Sequence, residues 1–182
     1  IAFVLMVIIY WVFRNWNLSN VNQLFRKLQI LSAAFLSYSH GKNDAQNAIG
    51  IMALGWAVYV SQDVTVQPWM QVSCGLAIAM GVALGGWRVI HTLGSKVTNL
   101  IPASGFAANI AAAAVIEAAS NIGLPVSTTH TTSSAILGVG VTRGILAVRW
   151  SVIRGILAAW IITYPFCTIL GWILAKLLGS IL

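Results

Sequence analysis

Asp44 stands in the run His40-Gly41-Lys42-Asn43-Asp44-Ala45-Gln46-Asn47, between long apolar stretches, and is one of only three acidic residues in 182. An unpaired carboxylate in hydrocarbon costs at least about 2.5 kcal/mol on insertion scales, so Asp44 must face protein, water or a cation. Asn43 and Asn47 are four residues apart and share a helix face, with Asp44 beside it. Amide and carboxylate oxygens suit a hard cation such as Na⁺. Asp44 would serve equally as a proton carrier. Lys42 would either neutralise Asp44 as an ion pair or attract an anion.

A second polar cluster, Ser127-Thr128-Thr129-His130, follows Pro125 and precedes an apolar run of small residues. That is where a helix N-terminus belongs, and its free N–H groups and positive dipole end make a seat for anions. The hydroxyls of Ser127, Thr128 and Thr129 add donors, so a tetrahedral oxyanion is the natural occupant. His130 has a simpler expected part, tying the turn to a neighbouring carbonyl. A carboxylate tolerates an oxyanion beside it if a cation bridges them or if a protonated phosphate oxygen donates to Asp44. Sulfate has no proton to give at neutral pH. Either arrangement links anion binding to a cation or proton. Glu117, inside an apolar arm, is a candidate by the same intramembrane reasoning, in a pairing or cavity-facing role. Taken singly, each cluster also fits a plain polar network at a helix contact. No Gly-x-Ser-x-Gly elbow frames Ser127, which argues against a hydrolase built on Ser127, His130 and Asp44.

The elements that position these residues must be apolar helices. Hydrophobic residues make up 59% of the chain and charged ones 7%, against about 25% charged in soluble domains. The composition predicts an integral membrane protein, and its apolar runs read as helices, an all-α class; the membrane expected is the plasma membrane, or the inner membrane if the source is a bacterium. A net charge of +7 does not imply nucleic acid, because the basic residues fall between apolar runs, where the cytoplasm-facing charge bias accounts for them. Cys74 and Cys167 both lie in apolar runs and read as buried thiols.

Residues 1 to 13 are too short to span alone and read as the tail of a helix in a fragment of a longer polypeptide. Residues 14–29 form a polar connector whose Val21, Leu24, Phe25 and Leu28 have the spacing of a short helix on the membrane surface. A continuous helix over residues 30 to 61 would be about 48 Å long against a core of about 30 Å. It must tilt strongly or break, and Gly41 with the Asn43-Asp44 pair offers the break. A loop over 62 to 68 leads to a second span over 69 to 87, bounded by tryptophans. Residues 88 to 100 are a basic loop in which His91 is interfacial.

Residues 101–142 predict a helical hairpin: an Ala-rich arm with Asn109 as a packing amide, an uncharged turn, and a return arm. The basic connectors 14–29, 88–100 and 143–154 then share the cytoplasmic side, whether the hairpin is re-entrant or crosses twice. A last span over 155 to 182 is expected to kink near Pro165. The whole of 1–182 is taken as one transmembrane domain.

The run Gly41-Lys42-Asn43-Asp44-Ala45-Gln46-Asn47-Ala48 resembles the Gly-x-Asn-Asp-x-x-Asn-Ala motif of the PiT family of inorganic phosphate transporters. Gly123-Leu124-Pro125-Val126-Ser127-Thr128-Thr129-His130 resembles that family's second motif, and Gly85-Gly86-Trp87-Arg88-Val89-Ile90 with Thr92-Leu93-Gly94 lies between them as in the family. The chain departs at Asn109, where the family usually carries Gln or Glu, and at Glu117, where an apolar residue is expected. The resemblance implies a multi-span transporter repeat with a broken helix and a re-entrant hairpin, one of two inverted repeats, here the C-terminal one. It implies symport of inorganic phosphate with Na⁺ or H⁺ and no organic cofactor. Asp44, Ser127, Thr128 and Thr129 would hold phosphate, and Asn43, Asp44 and Asn47 the cation. Lys42 and His130 would support them, as would Glu117, on the intramembrane reasoning rather than on the resemblance. The implied partners are the lipid bilayer and the N-terminal repeat, with a homodimer left open; the alternatives are a sulfate or other oxyanion permease and a non-transporting scaffold or receptor.

Overall fold

The computed structural model describes residues 1–61 and 63–179. Gln62, at the start of the expected loop, and residues 180–182, at the end of the expected last span, lie outside the described residues. Among those described there are six α-helices and no strands: α1 (Ala2–Val12), α2 (Leu18–Val60), α3 (Pro68–His91), α4 (Pro102–Asn121), α5 (Thr128–Val141) and α6 (Trp150–Gly179). A π-helical turn, Thr92–Lys96, continues α3. Two compact units form, Ile1–Val148 and Arg149–Leu182.

Among the described residues three helices are long and apolar enough to cross a membrane: α3 with its π turn, α4 and α6. They differ in surroundings. Over half of the apolar window of α4 is buried (56%), against 6% for α3. The central helix is therefore the one built from small residues, with Ala107, Ala111, Ala112 and Ala113 buried along it. Small side chains let helix backbones approach closely in a bilayer. Gly105 makes the approach closest, since a Cβ there would run into the side chain of Gln29 on α2.

The expected break at Gly41 does not occur. Helix α2 runs unbroken through the motif for 43 residues, about 65 Å and roughly twice the hydrocarbon thickness. An interior glycine costs a helix only about 1 kcal/mol. The side chains that would have capped a new helix start are engaged elsewhere: Asn43 bonds the turn after α4, and His40 pairs with Asp44 across one helical turn at 2.8 Å.

The connector over 14–29 likewise ends as part of α2 rather than as a separate surface helix. Asn17 caps the start by accepting from Ser19 N–H at 2.9 Å. Phe25, 2% exposed, then packs edge-to-face on Phe13 and on Phe106 of α4, with ring centroids 5.3 and 5.4 Å apart. Those contacts hold residues 18–29 against α4. Of the two thiols expected to be buried, Cys74 is and Cys167, on α6, is exposed. α6 is assigned as one helix with Pro165 inside it.

Candidate functional site

The residues between α4 and α5 form two consecutive terminus motifs. Helix α4 ends with Gly123 at φ 75°, Gly123 N–H bonding Ser120 O at 3.1 Å and Leu124 N–H bonding Ala119 O at 3.0 Å. This is the left-handed glycine closure that satisfies the last carbonyls of a helix. Four residues later Ser127 caps α5, its Oγ accepting from His130 N–H at 3.3 Å. Thr131 N–H and its hydroxyl both reach Ser127 O. The N–H groups of Thr128 and Thr129 fall in the first turn, where no intrahelical acceptor exists. The second cluster is thus the N-terminus of a helix, as its residue types required, with Thr128 buried and Ser127 and Thr129 exposed.

The tip of this turn is bound to α2 by one side chain. Asn43 Nδ2 donates to Val126 O at 2.7 Å, and Val126 N–H donates to Asn43 Oδ1 at 3.0 Å. The Ser120 hydroxyl donates to the same Oδ1 at 3.3 Å, and Nδ2 reaches Asp44 Oδ1 at 3.2 Å. The amide of Asn43, 2% exposed, has both acceptor sites and both donors in use. One residue further, Asp44 pairs with His40 and has a side chain 39% exposed. The residue just before the cap of the hydroxyl-bearing helix is therefore tied to the residue next to the carboxylate. Asn47, one turn on from Asn43, is exposed.

Lys42 does not pair with Asp44, the first of the two parts open to it in the sequence. Its ammonium donates to Glu117 Oε1 and to Asn121 Oδ1, both at 2.6 Å. Asp44 is left to His40, which also lines a groove of about 370 Å³ between α2 and α3 with Gly41, Gly75 and Val82. Gln46 Nε2 donates to Ser120 O at 3.2 Å. The Ser39 hydroxyl faces the Glu117 carboxylate without a hydrogen bond of good geometry. Asn109 donates to Ser32 Oγ at 3.3 Å, the packing role its position suggested. His130 lines a cavity of about 380 Å³ with Thr131, Ser134 and Gly138.

Sequence reasoning on the motif overlooked Ser39, His40, Gln46, Ser120 and Asn121. The signal was present in α2: Ser39, Lys42, Asn43 and Gln46 recur at helical spacing and make one polar stripe, and His40, Asp44 and Asn47 make a second. The first stripe holds the end of α4 and its turn. The second carries the exposed carboxylate.

Comparison with known proteins gives a consistent result. The Phosphate transporter family matches residues 1–171. A "Probable low-affinity inorganic phosphate transporter" of Rhizobium meliloti (strain 1021) is 42% identical over 173 residues, 94% of this chain and 52% of its own length. The protein of the same name from Bacillus subtilis (strain 168) is 40% identical over 183 residues, 100% and 55% respectively. "Sodium-dependent phosphate transporter 1" of Rattus norvegicus is 42% identical over 155 residues, 83% of this chain and 23% of its own. A solved structure described as "The sodium-dependent phosphate transporter" superposes with a TM-score of 0.73 at 31% identity, over 87% of this chain and 42% of that one. The chain spans about half the length of the bacterial relatives it matches.

Proposed function

We propose, since this chain belongs to the phosphate transporter family, that it is one repeat of a secondary transporter moving inorganic phosphate across a membrane with Na⁺ as the coupling ion. The observation that carries the reading is the two-point bond between Asn43 and Val126, which ties the residue just before the Ser127 cap of α5 to the residue beside Asp44. The free N–H groups and hydroxyls of Ser127, Thr128 and Thr129 seat the phosphate. Asp44 and the exposed amide of Asn47 face the cation, which bridges carboxylate and anion. Asn43, with its amide fully engaged, keeps the two half-sites in register. The names of the rat relative and of the solved structure support Na⁺ over H⁺.

A second repeat completes the site, in keeping with a chain about half as long as its bacterial relatives and with the use of paired repeats by transporters that bind near the midplane. The test is phosphate uptake by the full-length protein in proteoliposomes, with Na⁺ and pH gradients imposed separately. Asp44→Asn abolishes uptake while insertion is unchanged. Uptake at the unsubstituted rate in that variant would sink the assignment of Asp44, and uptake driven by the pH gradient alone would replace Na⁺ by H⁺.

A further inference from the structure

Two side-chain pairs sit back to back on one stretch of α2. His40 and Asp44 are four residues apart and share a face, and Lys42 lies midway between them in sequence, turned about 200° away. The Lys42 ammonium is bound at the far side by Glu117 and Asn121 of α4. The side chains of Lys42 and Glu117 are 31% and 22% exposed, and Glu117 Oε2 is buried with no hydrogen-bond partner. An ion pair so placed is poor evidence for stability, because desolvation offsets the attraction and an apolar pair of similar volume holds a helix contact as well. A lysine two residues from a carboxylate meant for a cation is itself a hazard, since its charge opposes the cation. Glu117 cancels that charge.

We infer that Glu117 is a positioning residue for cation binding: it holds and neutralises the Lys42 ammonium on the α4 side of α2, so that Asp44 keeps its negative field for the coupling cation. The inference rests on the reading of Asp44 as a cation-linked carboxylate. With Glu117 made neutral, an uncompensated positive charge stands across the helix from the cation, about 10 Å away by the width of an α-helix. At the effective dielectric of a partly buried site this weakens cation binding about tenfold. Removing the charge of Lys42 as well takes away the repulsion, although it also takes away the last of the contact.

The decisive measurement is the Na⁺ dependence of phosphate uptake by the full-length protein in proteoliposomes, for the unsubstituted protein, Glu117→Gln and the double variant Lys42→Met with Glu117→Gln. The expected result is a tenfold weaker apparent Na⁺ affinity in the single variant and recovery of most of it in the double variant. A purely structural contact gives the reverse order, with the double variant as impaired as the single or more so, and that order overturns the inference. Unchanged Na⁺ dependence in Glu117→Gln overturns it too. If the single variant does not assemble, the double variant decides alone, since only charge cancellation leaves its Na⁺ affinity near that of the unsubstituted protein. A complete lack of Na⁺-driven uptake in the unsubstituted protein is a separate outcome, which fells the transport reading and this inference with it.

Discussion

Replacing Asn43 by Ala should release the turn that joins α4 to α5. The substitution deletes both hydrogen bonds to Val126, at 2.7 and 3.0 Å, and strands the Ser120 hydroxyl that donates to Asn43 at 3.3 Å. A hydrogen bond contributes about 0.5–1.5 kcal/mol net, and a buried group left without a partner costs about 1–3 kcal/mol. Asn43 is 2% exposed, but Val126 is only half-buried, so water recovers part of the loss at its backbone. The balance is about 2–4 kcal/mol of local stability, drawn from the same mutational scale. At 1.36 kcal/mol per decade this raises the open population of the turn about 30- to 1,000-fold. Hydrogen exchange followed by mass spectrometry on the full-length protein reads that quantity for a peptide covering 122–131, with one from α1 as an internal reference. Asn43→Asp should fall between, because its carboxylate still accepts from Val126 N–H but offers the carbonyl no donor. Exchange in the turn unchanged by Asn43→Ala would refute the clamp and the account of how the two motifs are held together.

Two further outcomes follow from the packing. Phe25→Ala removes a side chain 2% exposed with edge-to-face contacts to Phe13 and Phe106, so it should cost about 3–5 kcal/mol and lower the melting temperature in detergent. An unchanged melting temperature would mean that residues 18–29 are not held against α4. Gly123→Ala forces a Cβ into the left-handed backbone at φ 75°, costing about 1–2 kcal/mol; a Cβ there meets no atom within 4 Å, so exchange in the turn should rise by no more than about thirtyfold, the factor that 2 kcal/mol allows.

The all-α membrane class was legible from composition, because so few charges leave no other solvent for the chain. The α4–α5 pair and its turn were legible from the uncharged Gly123-Leu124-Pro125 between apolar arms, since a left-handed glycine and a proline stop helices by local sterics. The continuity of α2 was not. Gly41, Asn43 and Asp44 are residues a broken helix favours, and their local preference, about 1 kcal/mol, lost to side-chain bonds with partners 74 to 83 residues away. Lys42 shows the same limit: next to Asp44 in the chain, it found its carboxylate on Glu117, at a separation of 75 residues.

What the sequence determined by itself is chemical: which polar side chains stand apart from the apolar background, Asn43 and Asp44 in one stretch and Ser127 to His130 in the other, and that apolar helices must carry them. What the tertiary structure decided is the partner of each one, because hydrogen bonds and ion pairs form with whatever the packing of α4 on α2 brings within about 3 Å. Small residues along α4 let it lie close on α2, and that closeness put Asn43 on Val126 and Lys42 on Glu117, leaving Asp44 to His40.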